Sequence, residues 1–219
     1  MNGTNAAQPR EPDLDCGLCP RLAAFRQENR RANPDWFNGP VPAFGALDSR
    51  LLIVGLAPGL KGANLTGRPF TGDYAGDLLY ATLQKYGFAE GRYDKRQDDG
   101  LRLIDCRITN AVRCVPPQNK PVGQEINACR PFLTDEIKLM PNLRVILSLG
   151  LVSHNTVLGA LDEKRSAWKF AHGALHNLSS GITLANSYHC SRYNTNTGRL
   201  TEGMFCDVFD TIRTLLSGR

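Results

Sequence analysis

Short apolar runs alternate with longer amphipathic segments along most of this chain. Four runs predict buried strands, because each is short and flanked by turn or loop residues: 51–55, 103–112, 144–149 and 182–186. Helical patterns occupy the segments near 75–87, 122–140, 150–161 and 202–217. Strands that alternate with helices predict a three-layer α/β/α sandwich around a central, mostly parallel, four-stranded sheet.

The residues before the first strand follow a different pattern. Residues 1–13 are polar and contain two prolines, which predicts a flexible N-terminal tail. Residues 20–31 predict a helix beginning at Pro20. Its arginines form either a solvated face or a phosphate-contacting surface: Arg21, Arg26, Arg30 and Arg31. No boundary divides residues 14–219, so they are expected to form one domain.

In a parallel α/β sheet the active site lies outside the carboxyl ends of the strands. This rule selects the loops 55–73 and 187–201, the segment 110–121 and the turn near Gly150. The first loop, GLAPGLKGANLTGRPFTGD, matches neither a dinucleotide fingerprint nor a phosphate-binding P-loop. It presents backbone donors, one aromatic ring and one carboxylate. Taken alone, Phe70 favours a core position, and Asp73 suits the usual role of a helix cap.

Two further loops carry polar side chains suited to nucleic acid. His189 follows the last strand and lies among serine, threonine and asparagine residues. The same loop carries cations and an amide beside an aromatic ring, a mixture suited to gripping or probing a duplex: Arg192, Tyr193, Asn194 and Arg199. Asn110 lies near the end of the second strand, and its amide can read the edge of a base. Arg113 and Lys120 follow it as possible phosphate contacts.

Composition narrows the possible environments. The 219 residues carry a net charge of +5, which permits a polyanionic partner without requiring one. No apolar run is long enough for a membrane span, and the first dozen residues lack a secretory signal. The seven cysteines do not form a secreted disulfide pattern, so a reducing cytoplasm is expected.

Four of those cysteines have the spacing of a metal site. Cys16 and Cys19 form a C-x2-C pair, whereas Cys114 and Cys129 form a wide C-x14-C pair. A zinc ribbon usually has two close pairs, and a wide second pair is more typical of an iron–sulfur cluster. Ordinary buried cysteines remain the alternative.

Together these motifs resemble the uracil-DNA glycosylase superfamily in its iron–sulfur branches, over roughly residues 14–217. The resemblance rests on the four cysteines, on GLAPG…TGRPFTGD with TNAVRC…PPQNKP…CRPFL, and on HCSRYNTNTG. Family 4 enzymes have Glu where this chain has Leu56, and His-Pro where it has His189-Cys190. Both departures point to family 5, the UDGb type.

The resemblance implies a monomeric DNA repair enzyme with a 4Fe–4S cluster on the four cysteines. It would flip uracil, and other deaminated or modified bases, out of double-stranded DNA and hydrolyse the glycosidic bond. Asp73 would activate water or stabilise the sugar cation, His189 would stabilise the leaving base, and Asn110 would assist. Backbone N–H groups near the flipped base, and a ring beneath it, would complete the pocket: Leu56, Ala57, Gly59 and Phe70.

Two other classes remain for comparison. A non-catalytic nucleic-acid-binding module would need the cysteines and the basic residues, but not Asp73 and His189. An esterase-like α/β enzyme would need a G-x-S-x-G nucleophile elbow, and this sequence has none.

Overall fold

The computed structural model describes residues 8–218. The seven α-helices found there are α1 (Pro20–Ala32), α2 (Ala63–Thr66), α3 (Tyr74–Lys85), α4 (Gly123–Lys138), α5 (Leu151–Ala160), α6 (Arg192–Asn196) and α7 (Glu202–Ser217). The strands are β1 (Leu51–Gly55), β2 (Ala89–Glu90), β3 (Arg102–Leu103), β4 (Cys106–Asn110), β5 (Val145–Leu149), β6 (Leu175–Asn177) and β7 (Thr183–Ser187). Within this range every helix is too short or too polar to cross a bilayer.

The central sheet confirms the predicted fold class. Its order is β4-β1-β5-β7-β6, and the first four of these strands run parallel. The fifth strand, β6, is an antiparallel edge strand that pairs with β7. The sequence predicts only four strands, because β6 is three residues long, mostly exposed and without an apolar run.

The predicted strand 103–112 is too long at both ends, because β4 spans only Cys106–Asn110. Asp105 adopts a positive φ of 52°, which ends the short strand β3 and lets β4 begin at Cys106. Strand β3 pairs with β2 in a separate two-stranded ribbon. The Asp105 carboxylate accepts hydrogen bonds from the backbone and the side chain of Arg50, which fixes the break.

Helices cover both faces of the sheet because the buried strands are apolar on both sides. Leu51 and Ile53 of β1 pack on one side with residues of α3 and α7, including Leu79 and Phe205. The alternate residues of β1 pack on the other side with α4 and α5. The two cores hold the carboxyl edge of the sheet rigid, and the candidate site lies at that edge.

The N-terminal segment is packed onto this domain from residue 8. Arg10 pairs with Asp135 on α4, and Glu11 reaches the guanidinium of Arg113. Residues 8–13 of the predicted tail make these contacts, and residues 1–7 lie outside the described range. These contacts bring the first cysteine pair towards α4.

Candidate active site and metal centre

The carboxyl ends of neighbouring strands bring the predicted site residues to one edge. Gly55 at the end of β1 pairs in register with Asn110 at the end of β4. His189 lies just beyond β7, and its Cβ is 3.9 Å from the position that a Cβ on Gly150 would occupy. The edge rule therefore selects the segments that meet in the structure.

Phe70, Asn110 and His189 form one group. The rings of Phe70 and His189 stack with centroids 5.8 Å apart and planes 26° from parallel. A Cβ on Gly55 would approach Asn110 Oδ1 and would lie 2.6 Å from the Phe70 ring, so only glycine fits beneath them. The amide of Asn110 makes no hydrogen bond within residues 8–218, which leaves its donor and acceptor for a ligand.

The turn that presents Phe70 is strained and tightly held. Phe70 has a positive φ of 54°, an unusual conformation for a bulky residue. Its carbonyl accepts a hydrogen bond from Tyr93 and packs so closely on Gly76 that no side chain fits there. Next to it, buried Arg68 forms a bidentate pair with Asp99, with both N–O distances 2.8 Å. Phe70 is 6% exposed and belongs to the core on this side of the sheet, while its ring also stacks on His189 at the candidate site.

Asp73 fills the helix-cap role considered from the sequence and also faces the first loop. It is the N-cap of α3, where Oδ1 accepts a hydrogen bond from the Gly76 N–H at 3.1 Å. Its Oδ2 lies over the first loop, 2.9 Å and 2.5 Å from the positions that Cβ atoms on Gly59 and Gly62 would take. Burial raises the pKa of Asp73, and the hydrogen bond from Gly76 offsets only part of that effect. A raised carboxyl pKa is typical of a group that handles protons.

The same loop presents unused backbone donors. The N–H groups of Ala57 and Gly59 donate no hydrogen bond within the described part of the chain. Leu56 fixes the loop through its carbonyl, which accepts a hydrogen bond from the Val112 N–H at 3.0 Å. Backbone donors without a protein partner must face water or a ligand.

His189 is held as a neutral ring. Burial lowers its pKa to about 4, so the imidazole is uncharged at physiological pH. Asn194 donates its side-chain amide to the His189 carbonyl at 2.8 Å, and the thiol of Cys190 donates to the Ala75 carbonyl at 3.4 Å. The first bond closes the histidine loop on itself, and the second attaches it to the start of α3, next to Asp73.

The rest of the histidine loop is exposed and cationic. Tyr193 is 73% exposed at the tip of α6. The Arg192 guanidinium lies 5.5 Å from the ring centroid of Tyr74, and that of Arg199 lies 4.6 Å from Tyr188. Aromatic surfaces thus support both cations at the rim of the site.

The predicted phosphate contacts outside this loop need correction. Arg113 is 1% exposed and pairs with Glu136 in the interior, so it cannot reach a phosphate. On α1, Arg21 and Arg30 are paired with carboxylates, and Arg26 is buried. Lys120 is exposed and remains a candidate.

The four predicted cysteine ligands meet in one place. Cys16, Cys19, Cys114 and Cys129 line a single pocket between α1, the segment after β4 and α4. Within residues 8–218 no group of three or more Cys, His, Asp or Glu side chains is arranged for a single metal ion. A cubane cluster is larger than one ion and separates its ligands more widely, so four thiols around a pocket suit it better.

The surroundings of these thiols also fit such a group. Burial raises the pKa of Cys19, Cys114 and Cys129 to about 11, so each must lose a proton when it binds metal. Arg26 lines the same pocket, and its Nε is buried without a hydrogen-bond partner in the described structure. A thiol-rich pocket with an unmatched cation matches an anionic cluster.

Sequence reasoning missed the residues that hold the site in place. Arg68 and Asp99 are far apart in sequence, and no motif links them. His172 accepts a hydrogen bond from the Tyr188 N–H at 3.2 Å and stacks on the Tyr188 ring. The sequence shows only that these residues are polar and lie within segments predicted to fold.

Comparisons with known proteins agree with this architecture. Residues 42–213 match the model of the uracil DNA glycosylase superfamily. The chain is 45% identical over 199 residues to a type-5 uracil-DNA glycosylase of Thermus thermophilus, covering 88% of this chain and 90% of that protein. A type-5 enzyme of Mycobacterium bovis is 42% identical, with 89% and 75% covered. One of Pyrobaculum aerophilum is 36% identical, with 89% and 86% covered.

Proposed function

The chain belongs to the uracil DNA glycosylase superfamily, and from that premise we propose that it hydrolyses the N-glycosidic bond of uracil in DNA. The observation that carries the proposal is the meeting of Phe70, Asn110 and His189 at the carboxyl edge of the sheet. A stacking ring, a free amide and a neutral donor are what a flipped base requires. The reaction releases the free base and leaves an abasic site.

Base flipping brings the buried bond into this site. Phe70 supplies a flat face for the extruded base, and the amide of Asn110 pairs with its edge. Tyr193 stands exposed beside the two rim cations and would fill the gap left in the duplex. Arg192 and Arg199 hold the flanking phosphates.

Bond cleavage places positive charge on the sugar and negative charge on the departing base. His189, neutral at physiological pH, donates a hydrogen bond to a base oxygen, helped by the free N–H groups of Ala57 and Gly59. Asp73 stabilises the sugar cation or accepts a proton from the attacking water. Leu56 cannot ionise, which leaves Asp73 as the carboxylate of the loop.

Substrate range and setting follow the same reasoning. Stacking and a single amide discriminate weakly, so hypoxanthine, xanthine, hydroxymethyluracil and ethenocytosine are proposed as further substrates. Double-stranded DNA is the proposed partner, because an exposed aromatic wedge and two cations surround the site. We place the enzyme in the bacterial or archaeal cytoplasm as a monomer, with residues 14–219 acting as one domain.

The four cysteines are the proposed ligands of a 4Fe–4S cluster. The bound cluster would supply a covalent staple between the N-terminal segment and α4. The residues around it act structurally: Leu22 and Val112 pack against the ligands and keep water out. No part of base excision passes through this site.

The decisive experiment is incubation with end-labelled duplexes that contain U:G, U:A, hypoxanthine:T or only normal pairs, followed by alkali. Strand breaks at the modified base support the proposal. A protein with both Asp73→Asn and His189→Ala, purified identically, controls for contaminating glycosylase. Duplex binding without breaks would instead favour a non-catalytic nucleic-acid-binding module.

The pH profile should have an acid limb set by Asp73. Its pKa is raised in the folded protein, so the active carboxylate forms only as pH rises above the ordinary aspartate range. His189 is deprotonated above about 4 and stays neutral across the neutral range. Single-turnover rates should therefore fall on acidification. His189→Ala should keep this limb and Asp73→Asn should lose it; a limb that survives Asp73→Asn would assign it to another group.

Arg192→Glu should weaken duplex binding regardless of base. Each phosphate contact contributes to the slope of log K against log salt, so losing one should reduce that slope by about 1. Binding measured at several salt concentrations with U:G and normal duplexes tests this. Arg102→Glu is a matched control, because Arg102 pairs with Glu90 on the β2–β3 ribbon. A change in base preference alone would contradict the assignment.

Purified protein should contain iron. Cys114→Ala should lose it, because one of the four ligands is missing. Cys206→Ser should keep it, because Cys206 lies beside Lys85 and away from the pocket. The iron and zinc contents of each purified variant are measured, and its visible absorption spectrum is recorded. Stoichiometric zinc without iron would contradict the cluster.

A further inference from the structure

Arg26 is a buried cation without a carboxylate partner in the described structure. It lies in the middle of α1 and is 2% exposed. Its helical neighbours are neutralised: Arg21 pairs with Glu125, and Arg30 pairs with Asp15. Arg31 is exposed to solvent. Arg26 is therefore the arginine of α1 whose charge needs another explanation.

Every polar contact of Arg26 points to the cysteine pocket. Nη1 donates to Cys114 Sγ at 3.5 Å, and Nη2 donates to the Cys16 carbonyl at 2.8 Å. Nε is buried and unpartnered, although it lies in a side chain that lines the pocket. A second donor approaches the same pocket, because the Arg113 backbone N–H lies 3.3 Å from Cys129 Sγ.

Burying such a charge is unfavourable unless an anion compensates it. A guanidinium cannot escape by losing its proton, because it stays protonated in proteins. Leaving a buried charge without its partner is strongly destabilising. Within the described residues no carboxylate pairs with Arg26, and the side chains that it faces are the cysteines of the pocket. A cluster of net negative charge on these four cysteines would supply the missing anion.

We propose that Arg26 is the counter-charge and hydrogen-bond donor of the cluster, retaining it and raising its reduction potential. The inference rests on the proposed cluster and goes beyond its role as a staple. Reduction adds negative charge beside a fixed buried cation, so the reduced cluster gains more from Arg26 than the oxidised one. Hydrogen bonds to ligand sulfur and local charge are established determinants of cluster potential.

Three variants of the full chain distinguish the effect of the charge at position 26 from the effect of the side chain's size. Arg26→Met keeps the length and removes the charge, Arg26→Lys keeps the charge, and Arg31→Met removes an exposed charge from the same helix. The readouts are the midpoint potential, from a redox titration followed by visible and paramagnetic resonance spectra, and the rate of iron loss to a chelator. If the reduction potential lies outside the range that the titration can reach, the rates of iron loss to the chelator are compared between the variants instead.

Arg26→Met should shift the potential to more negative values and weaken cluster retention by about 10–100-fold, the usual range for an outer-shell partner. Arg26→Lys should lie closer to the wild type, and Arg31→Met should match it. Failure of Arg26→Met alone to assemble a cluster would also support the charge. Equal behaviour of Arg26→Met and Arg31→Met, or equal damage by Met and Lys at position 26, would overturn the proposal. A wild-type protein without iron would overturn both the proposed cluster and the proposed role of Arg26. Base excision is measured on the same samples, and its result tests the proposed enzyme activity independently of the cluster.

Discussion

Asp73→Asn is expected to lose about 100-fold or more of the single-turnover excision rate while the protein becomes more stable. The rate loss follows from removing the carboxylate that serves the water or the sugar cation, and about 10²–10⁴-fold is usual for such groups. Asparagine keeps the side-chain oxygen that accepts the Gly76 N–H, so the cap of α3 survives. Labelled U:G duplexes and rapid quenching measure the rate, and thermal unfolding measures stability.

The sign of the stability change follows from the direction of the pKa shift. Because folding raises the pKa of Asp73, this group favours the folded state below its unfolded pKa, and that contribution is lost as pH rises through the folded pKa. At neutral pH the buried carboxylate is ionised and unfavourable. A neutral amide removes that cost, so the gain in Tm should be largest at neutral pH and vanish in acid.

His189→Ala is the matched comparison. It removes a donor to the leaving base, and losing such a donor costs roughly 3 kcal/mol in oxyanion sites. Its effect should differ between bases that leave with different ease, whereas Asp73→Asn should slow all bases by a similar factor. Near wild-type rates for Asp73→Asn on U:G duplexes would make Asp73 a helix cap and leave the chemistry to His189, Asn110 and the backbone donors.

The sequence predicts the parts of this molecule that depend on local pattern. The run at Leu51–Gly55 appears as β1 without change, because a fully buried parallel strand is a continuous apolar run. The edge rule then places Asn110 and His189 correctly, since the ends of parallel strands converge. The cysteine spacing likewise identifies the four thiols that line one pocket.

What the sequence does not predict depends on tertiary partners. Arg113 and Arg26 resemble surface cations by residue type, and only the fold brings Glu136 to one and Cys114 to the other. The break at Asp105 depends on Arg50. Such contacts join distant segments, and single-residue preferences carry no information about them.

Asp99→Ala is expected to destabilise the protein by about 3–5 kcal/mol, because it leaves the Arg68 guanidinium buried without its partner. The side chains of Arg68 and Asp99 are 3% and 1% exposed. Burial alone would raise the pKa of Asp99, but hydrogen bonds from Arg68 and two backbone N–H groups outweigh it and hold the pKa far below its usual range. The loss should therefore be full at neutral pH and shrink in strong acid, where the wild-type carboxylate also becomes protonated.

Asp98→Ala is the control, since the neighbouring Asp98 is 73% exposed and pairs with Arg96 in solvent. Exposed pairs contribute about 0–1 kcal/mol, so urea unfolding should separate the two alanine variants clearly. Arg68 also donates to Thr71, next to the strained Phe70 turn, so Asp99→Ala should weaken uracil excision at temperatures where the protein remains folded. Equal unfolding midpoints for the two variants would mean that water replaces Asp99 as the hydrogen-bond partner of Arg68. Lost stability with full excision would mean that Tyr93 and Gly76 are sufficient to hold Phe70 in place.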